Sequence, residues 1–222
     1  MAFSLSSKSR LTDYDIDRFA SGTLFDRLAR AVCRAGCLPR KELYEAWEVA
    51  RRIRRRLRGG RVVDGAGGHG LLAHVLLLLD HTSASAVVAD PSIPPSARGL
   101  HAAIVADWPR LAGRIAFEST SIDTIELGAG DLVVSSHACG ALTDRVIERA
   151  VEARARVAVL PCCHDAAACN AGPAIGWLEA DLAIDVMRAV RLEARGYGVH
   201  TLLIPSSITP KNRLLIAAPR RP

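Results

Sequence analysis

The chain has 222 residues, half of them hydrophobic, and a formal net charge of +6. This length suits one α/β domain with an N-terminal extension, and the hydrophobic content excludes an intrinsically disordered protein. The six cysteines are expected to be free thiols, because a chain with a core of this size needs no disulfide staples. The Ser-rich first ten residues contain no apolar signal segment, and the longest apolar run, Leu71–Leu79, is too short to span a membrane. We therefore expect a cytoplasmic protein.

The N-terminal part is predicted to be helical. Residues 1–20 carry no clear pattern, whereas apolar residues recur at helical spacing from Ser21 to Gly36. A second helix begins at Pro39 and ends before Gly59-Gly60, and it carries an arginine cluster that consists of Arg51, Arg52, Arg54, Arg55, Arg56, Arg58 and Arg61. The cluster is compatible with contacts to nucleic-acid phosphates and equally with a solvated helix face. The pattern predicts a helical extension over residues 1–58 and one domain over residues 59–222.

Short apolar strands alternate with helices after this extension. Strands are predicted at 62–64, 86–90, 114–118, 131–136 and 156–161, and helices at 69–79, 94–107, 142–155 and 178–195. The alternation indicates a parallel, doubly wound sheet. Two further strands, 199–204 and 213–217, are joined by a connection too short for a parallel crossover, so they are predicted to be antiparallel. The expected fold class is α/β, with a mostly parallel, Rossmann-like sheet of seven strands and a C-terminal antiparallel pair.

A glycine-rich stretch, Asp64-Gly65-Ala66-Gly67-Gly68-His69-Gly70, follows the first strand. Glycines allow a sharp turn and a close approach of the backbone to a ligand, and the helix start behind them presents free N–H groups. The stretch fits G-x-G-x-x-G, with Asp90 placed 20 residues past the last glycine, as in a nicotinamide dinucleotide site. Asp64 favours a different cofactor, because a carboxylate in front of the glycines repels a pyrophosphate but pairs with a cationic amine.

Asp64, Ala66, Gly68 and Gly70 stand in the register of a D-x-G-x-G-x-G motif. With the terminal antiparallel pair, this makes residues 60–218 resemble the class I S-adenosylmethionine-dependent methyltransferases, although Ala66 replaces the usual first glycine. The resemblance implies a Rossmann-like methyltransferase fold in which Asp64 and the loop backbone hold the methionyl part of S-adenosylmethionine, the loop residues being Gly65, Ala66, Gly68 and Gly70. It also implies that Asp90 holds the ribose hydroxyls and that Ser121 and Ile122 border the adenine.

Two loops rich in cysteine and histidine follow the fourth and fifth strands. The first contains His137-Ala138-Cys139-Gly140 and then Thr143-Asp144, and the second contains Cys162-Cys163-His164. Ligands of open α/β sheets bind at the carboxyl ends of the strands, so both loops are expected to face the transferred methyl group. The paired motifs resemble those of the eukaryotic tRNA 2′-O-methyltransferases of the Trm13 type, but the chain lacks that family's cysteine/histidine zinc-finger modules.

His137, Cys162, Cys163 and His164 are the candidate catalytic residues, and His137 is also expected to lie at the cofactor. A histidine titrates near neutral pH and can serve as a general base, and the cysteines could line the acceptor site. Packing is the alternative role for the cysteines. A metal site of Cys162, Cys163, His164 and Cys169, with Cys139, is not expected, because adjacent cysteines do not match the usual zinc spacing.

Three functional hypotheses follow from these residues. The first is an S-adenosylmethionine-dependent methyltransferase for RNA, tRNA above all, with the arginine cluster contacting its phosphates. The second is a methyltransferase for a small molecule or a protein. The third is a non-catalytic, Rossmann-like binding module.

Overall fold

A computed structural model describes residues 3–220. Six helices lie within them: α1 Leu24–Ala35, α2 Arg40–Arg56, α3 Leu71–Leu79, α4 Ala97–Asp107, α5 Ala141–Glu152 and α6 Ala180–Ala194. Seven strands accompany them: β1 Val62–Gly65, β2 Ala86–Ala89, β3 Ile115–Glu118, β4 Leu132–Ser135, β5 Arg156–Val159, β6 Tyr197–Leu203 and β7 Arg213–Pro219. Short 3₁₀ helices occupy Asp13–Arg18, Pro109–Leu111 and Pro173–Gly176.

The seven strands form one sheet in the order β3-β2-β1-β4-β5-β7-β6. The first five are parallel, and β7 runs antiparallel to both β5 and β6, as predicted. The chain first builds outward from β1 to β3 and then returns to place β4 on the other side of β1. This reversal opens a crevice at the carboxyl ends of β1 and β4, where open α/β sheets bind their ligands.

The central strands and helix α3 are apolar because they lie in the core. Strands β1, β2 and β4 are buried along their whole length, and α3 is buried almost all round because it lies between the sheet and the outer helices. Helix α2 packs on α3, and α1 packs on α4. Both N-terminal helices therefore share one apolar core with the sheet. The domain boundary between residues 58 and 59 stays a prediction.

Several element ends differ from the sequence-based expectation. Helix α3 begins at Leu71 rather than at residue 69, because the glycine turn continues to Gly70. Strand β6 begins earlier than predicted, at Tyr197, whose hydroxyl donates to the carbonyls of Ala150 and Ala155 and thereby fixes the start of the strand. Residues before 21 also carry more structure than their weak pattern indicated, since Leu11 and Phe19 are buried.

His74 is a fully buried side chain on α3. Its Nδ1 lies 2.7 Å from the carbonyl oxygen of Gly70, and its Nε2 lies 3.0 Å from Nδ1 of His101. Burial lowers the pKa of His74 from 6.5 to about 4. The folded protein therefore keeps His74 neutral at pH values where the unfolded chain binds a proton.

Lowering the pH from about 7 to about 4.5 should lower the free energy of unfolding by about 2.4 kcal/mol through His74 alone. This contribution is fully present above the ordinary pKa of 6.5 and is lost as the pH falls towards 4. Urea unfolding of the wild type and of His74→Gln at both pH values measures it, with the exposed His200→Gln as control. Equal pH dependence in the wild type and in His74→Gln would contradict this account.

None of the helices described between residues 3 and 220 is both long and apolar enough to cross a bilayer.

Candidate active site

A cavity of about 250 Å³ lies at the carboxyl ends of β1, β2 and β4. It brings together five of the residues predicted from the sequence, namely Asp64, Ala66, Gly68, Asp90 and His137. The other lining residues are Glu42, Ala46, Gly67, His69, Leu71, Leu72 and Ser136. The glycine turn, the end of β2 and the loop after β4 thus form one site.

The glycine turn is packed too closely for larger residues at two positions. A Cβ atom on Gly67 would lie 2.8 Å from Cγ of Asp64, and one on Gly70 would lie 2.6 Å from Cγ2 of Val88. Gly70 also has a φ of +70°, a left-handed conformation that glycine adopts without strain, and α3 starts directly behind it. Gly65 lies against Ile122, where a Cβ would approach the side chain to 3.3 Å.

Ala66, the one departure from the glycine motif, adopts a left-handed φ of +54°. An L-residue there costs about 1–2 kcal/mol. The turn therefore keeps the backbone path that a glycine would take, and the substitution changes the energy of the loop rather than its shape.

Asp64 and Asp90 are the two carboxylates that flank the turn. Asp64 is 2% exposed, and its Oδ2 accepts a hydrogen bond from the Ala73 N–H at 3.2 Å. Burial raises the pKa of Asp64 to about 7, against the lowering effect of the Ala73 N–H bond and with a smaller raising effect from the charge of Asp90. Asp90 accepts hydrogen bonds from the N–H groups of Gly68 at 3.0 Å and Ser92 at 2.8 Å. A cation in the cavity would stabilise the ionised form of Asp64.

The charges of the lining discriminate between the two cofactors. Glu42, Asp64 and Asp90 are acidic, and among residues 3–220 neither a lysine nor an arginine lines the cavity. An acidic site of this kind repels the pyrophosphate of a dinucleotide. It suits S-adenosylmethionine, because Asp64 can pair with the cationic methionyl part and Asp90 can accept hydrogen bonds from ribose hydroxyls. The residues present therefore fit the cofactor that the sequence indicated.

Glu42 is a site residue that the sequence analysis missed. It lies in the first turn of α2, where an acid is also favourable for the helix dipole. Burial raises the pKa of Glu42, while the nearby charge of His137 lowers it. Only the packing of α2 across the crevice reveals this residue, since nothing in the local pattern distinguishes it from a helix-start glutamate.

Ser121 and Ile122 lie outside the residues that line this cavity. Ile122 is 2% exposed and belongs to the apolar cluster on the face of the sheet that also packs against α5. Their assignment to the adenine stays a prediction.

His137 and His164 occupy different environments. His137 is exposed on the loop after β4 and lines the cavity. The side chain of His164 is only 1% exposed, with its Nε2 2.8 Å from Oδ1 of Asp185 and its Nδ1 3.6 Å from Oδ2 of Asp181. His164 is therefore held by two carboxylates of α6, outside the cavity lining. A catalytic role for His164 stays a prediction.

The loop after β4 is tied to α6 by the buried side chain of Arg188. Its guanidinium donates to both carboxylate oxygens of Asp144, at 2.7 and 3.2 Å, and to the Gly140 carbonyl at 3.1 Å. It also donates to Oδ1 of Asp185 at 3.1 Å, the same oxygen that His164 contacts. Arg188 thus positions both cysteine/histidine loops.

Three cysteines of these two loops lie close together: Cys139, Cys162 and Cys163. Burial raises the pKa of Cys139 and of Cys162, so both are protonated thiols in the absence of a positive partner. Cys169 is buried separately, 3.7 Å from Nη2 of Arg188. Of the cysteine/histidine set considered from the sequence, the fold therefore gathers three thiols and leaves Cys169 and His164 apart.

Residues 41–170, more than half of the chain, match the family described as "Methyltransferase domain". No curated protein matches the chain at a significant level.

Solved structures with the same fold are methyltransferases of differing substrates. An O-methyltransferase family protein from Burkholderia thailandensis has a TM-score of 0.54 at 19% identity, over 94% of this chain and 63% of its own. The mitomycin 7-O-methyltransferase MmcR has a TM-score of 0.54 at 20% identity, over 94% and 63%. The M1A22 tRNA methyltransferase TrmK from B. subtilis has a TM-score of 0.51 at 13% identity, over 78% and 65%. The chain thus spans less than two thirds of these proteins, and the likeness shows a common fold.

The family match, the strand order and the acidic cavity behind the glycine turn agree with one another. The chain belongs to the methyltransferase domain family, a family of enzymes whose cofactor is S-adenosylmethionine.

Proposed function

We propose that this protein is an S-adenosylmethionine-dependent methyltransferase that acts on RNA, with a tRNA-like molecule as substrate. One observation carries the proposal: a single helix, α2, contributes to the cofactor cavity at its start and carries most of the arginine cluster at its end. The paired cysteine/histidine motifs, which resemble those of the Trm13-type enzymes, support the same substrate class.

The arginine cluster is only partly neutralised. Arg51 and Arg52 pair with Glu48, and Arg61 forms an ion pair with Asp131 at 2.7 Å. In the part of the chain that the structure describes, Arg55 and Arg56 are exposed and form no ion pair. Exposed, unneutralised arginines are the groups that bind phosphates of a nucleic acid.

The distance along α2 suits an extended substrate. Glu42 and Arg55 are 13 residues apart, which corresponds to about 20 Å along the helix axis. A small acceptor bound at the cavity does not reach that far, whereas a folded RNA covers several phosphates over this length. The cluster therefore acts as a docking surface at a distance from the reacting atoms.

The residues of the cavity have separate roles in cofactor binding and proton transfer. S-Adenosylmethionine, when bound, supplies an electrophilic methyl group on a sulfonium. Asp64 and Asp90 hold the charged and hydroxylated parts of the cofactor, and the glycine turn brings the backbone close to it. His137, exposed at the rim, accepts the proton that the acceptor atom loses.

Transfer of a labelled methyl group to RNA tests the function. Purified protein with labelled S-adenosylmethionine should label total RNA from a strain that lacks the gene, and should label RNA from the parent strain much less, since its sites are already methylated. If neither RNA were labelled, the proposal that RNA is the substrate would be contradicted. Labelling of a protein or small-molecule fraction instead would establish the alternative substrate class.

Charge reversal of the arginine cluster should weaken RNA binding in a salt-dependent way. Arg55→Glu combined with Arg56→Glu removes two phosphate contacts, so the slope of log affinity against log salt should fall by about 2. Arg98→Glu combined with Arg195→Glu changes the net charge equally at exposed positions elsewhere and serves as the control. Identical salt slopes for the two double variants would show that the cluster is a solvated face.

A further inference from the structure

Three thiol groups converge beyond the carboxyl ends of β4 and β5. These strands are parallel neighbours with Ser135 opposite Val159, so the loops that follow them start side by side. Sγ of Cys139 lies 3.1 Å from Sγ of Cys162 and 3.4 Å from Sγ of Cys163, and the last two are 3.8 Å apart. Among the residues from 3 to 220, this is the group of three metal-ligating side chains whose ligand atoms all lie within 4.8 Å of one another.

The separations suit a metal ion held by thiolates. Zn–S bonds of about 2.3 Å in a tetrahedral arrangement place two sulfurs about 3.8 Å apart. One pair already has this separation and the other two are shorter, so small side-chain rotations suffice to surround one ion. The sequence-based expectation of no metal site rested on the adjacency of Cys162 and Cys163. In the fold, Sγ of Cys139 comes from the other loop to within 3.4 Å of both sulfurs.

A disulfide would engage only two of the three thiols. Adjacent residues have Cα atoms about 3.8 Å apart, below the usual range of about 4.4–6.8 Å for a disulfide, so Cys162 and Cys163 are poor partners for each other. A bond from Cys139 to either of them leaves the third thiol unused. A divalent ion engages all three.

The cluster is open on one side. Cys139 and Cys163 are exposed, and Cys162 is half-buried. The neighbouring His164 is directed to Asp185 instead, and its ring nitrogens are not among the clustered ligand atoms. Three protein ligands with an accessible fourth position are the arrangement in which zinc carries a water molecule.

We propose that Cys139, Cys162 and Cys163 bind one Zn²⁺ ion through their sulfurs, with water as the fourth ligand. Each thiol releases its proton to solvent as its S–Zn bond forms, and no electron is transferred. This gives Cys162 and Cys163 the role of metal ligands in place of the acceptor contact expected from the sequence. The proposal does not depend on RNA being the substrate.

Titration with Co²⁺ as a spectroscopic probe tests the site. Full-length protein is reduced, freed of metal with a chelator and titrated with Co²⁺. We expect a thiolate-to-cobalt charge-transfer band that saturates at one equivalent and disappears when Zn²⁺ is added. Substitution of second-shell residues already weakens metal binding by about 10–100-fold, so Cys139→Ser and Cys163→Ser should each weaken it by more than about 100-fold.

Controls separate metal binding from folding. Cys37→Ser, at a half-buried position on another part of the chain, should leave the cobalt band unchanged. Circular dichroism of Cys139→Ser should match that of the wild type, because Cys139 is exposed. The absence of a charge-transfer band in the reduced wild type would overturn the proposal, and so would an undiminished band in folded Cys139→Ser.

Discussion

Arg188→Ala should lower the free energy of unfolding by about 3–5 kcal/mol, the usual cost of removing one partner of a buried ion pair. The side chain of Arg188 is 1% exposed, and those of its partners Asp144 and Asp185 are 17% and 11% exposed. Without the guanidinium, Asp144 keeps only the longer contact to Arg191 and Asp185 keeps only Arg213 and His164, so both carboxylates lose their buried cationic partner, and the Gly140 carbonyl loses a donor. Chemical denaturation monitored by circular dichroism measures the change.

A neighbour on the same helix provides the matched control. Arg191 is 40% exposed and lies 3.7 Å from Asp144, so Arg191→Ala should cost less than about 1 kcal/mol. Arg188→Lys should restore only part of the loss, because a lysine cannot make the two-pronged contact to Asp144. Similar destabilisation by Arg188→Ala and Arg191→Ala would contradict the proposed role of Arg188.

Gly67→Ala should weaken S-adenosylmethionine binding by about 30-fold or more. The added Cβ would lie 2.8 Å from Cγ of Asp64 and equally close to Cγ1 of Val88, so the carboxylate must leave its position. Displacing one partner of a buried charge pair costs about 2–5 kcal/mol, which corresponds to this loss of affinity. Isothermal titration calorimetry with S-adenosylmethionine provides the measurement.

Two further variants keep this result interpretable. Gly99→Ala, on α4 where a Cβ meets no neighbouring atom, should bind the cofactor as the wild type does and should be slightly more stable. Asp64→Asn keeps the size of the side chain but removes its charge, and should reproduce most of the loss without the steric conflict. If Gly67→Ala and Gly99→Ala bound equally well, the cavity at the glycine turn would not be the cofactor site.

The topology could be predicted because it depends on local signals. Strand lengths, glycine turns and the short connection before Arg213 fix which strands are parallel, and these features are contiguous in the chain. The residues of the glycine turn were likewise identified from one continuous stretch. The cavity then gathered Asp64, Asp90 and His137, as expected from the rule that sites form where parallel strands end.

What could not be predicted depends on side chains that meet across the fold. Glu42 reaches the site only because α2 packs over the crevice. Nothing in the sequence of α6 indicates that Arg188 is buried and paired with Asp144 and Asp185. The expectation that Cys162 and Cys163 would not form a metal site rested on their adjacency. Cys139 belonged to the same candidate set, but only the folded chain shows that its Sγ lies 3.1 Å from Sγ of Cys162.

Calorimetric titration of the wild-type protein with S-adenosylmethionine, and in parallel with a nicotinamide dinucleotide, tests the central claim most directly. We predict one saturable site per chain for S-adenosylmethionine and no heat of binding for the dinucleotide, because Glu42, Asp64 and Asp90 make the cavity acidic. Binding of the dinucleotide with no binding of S-adenosylmethionine would contradict the account.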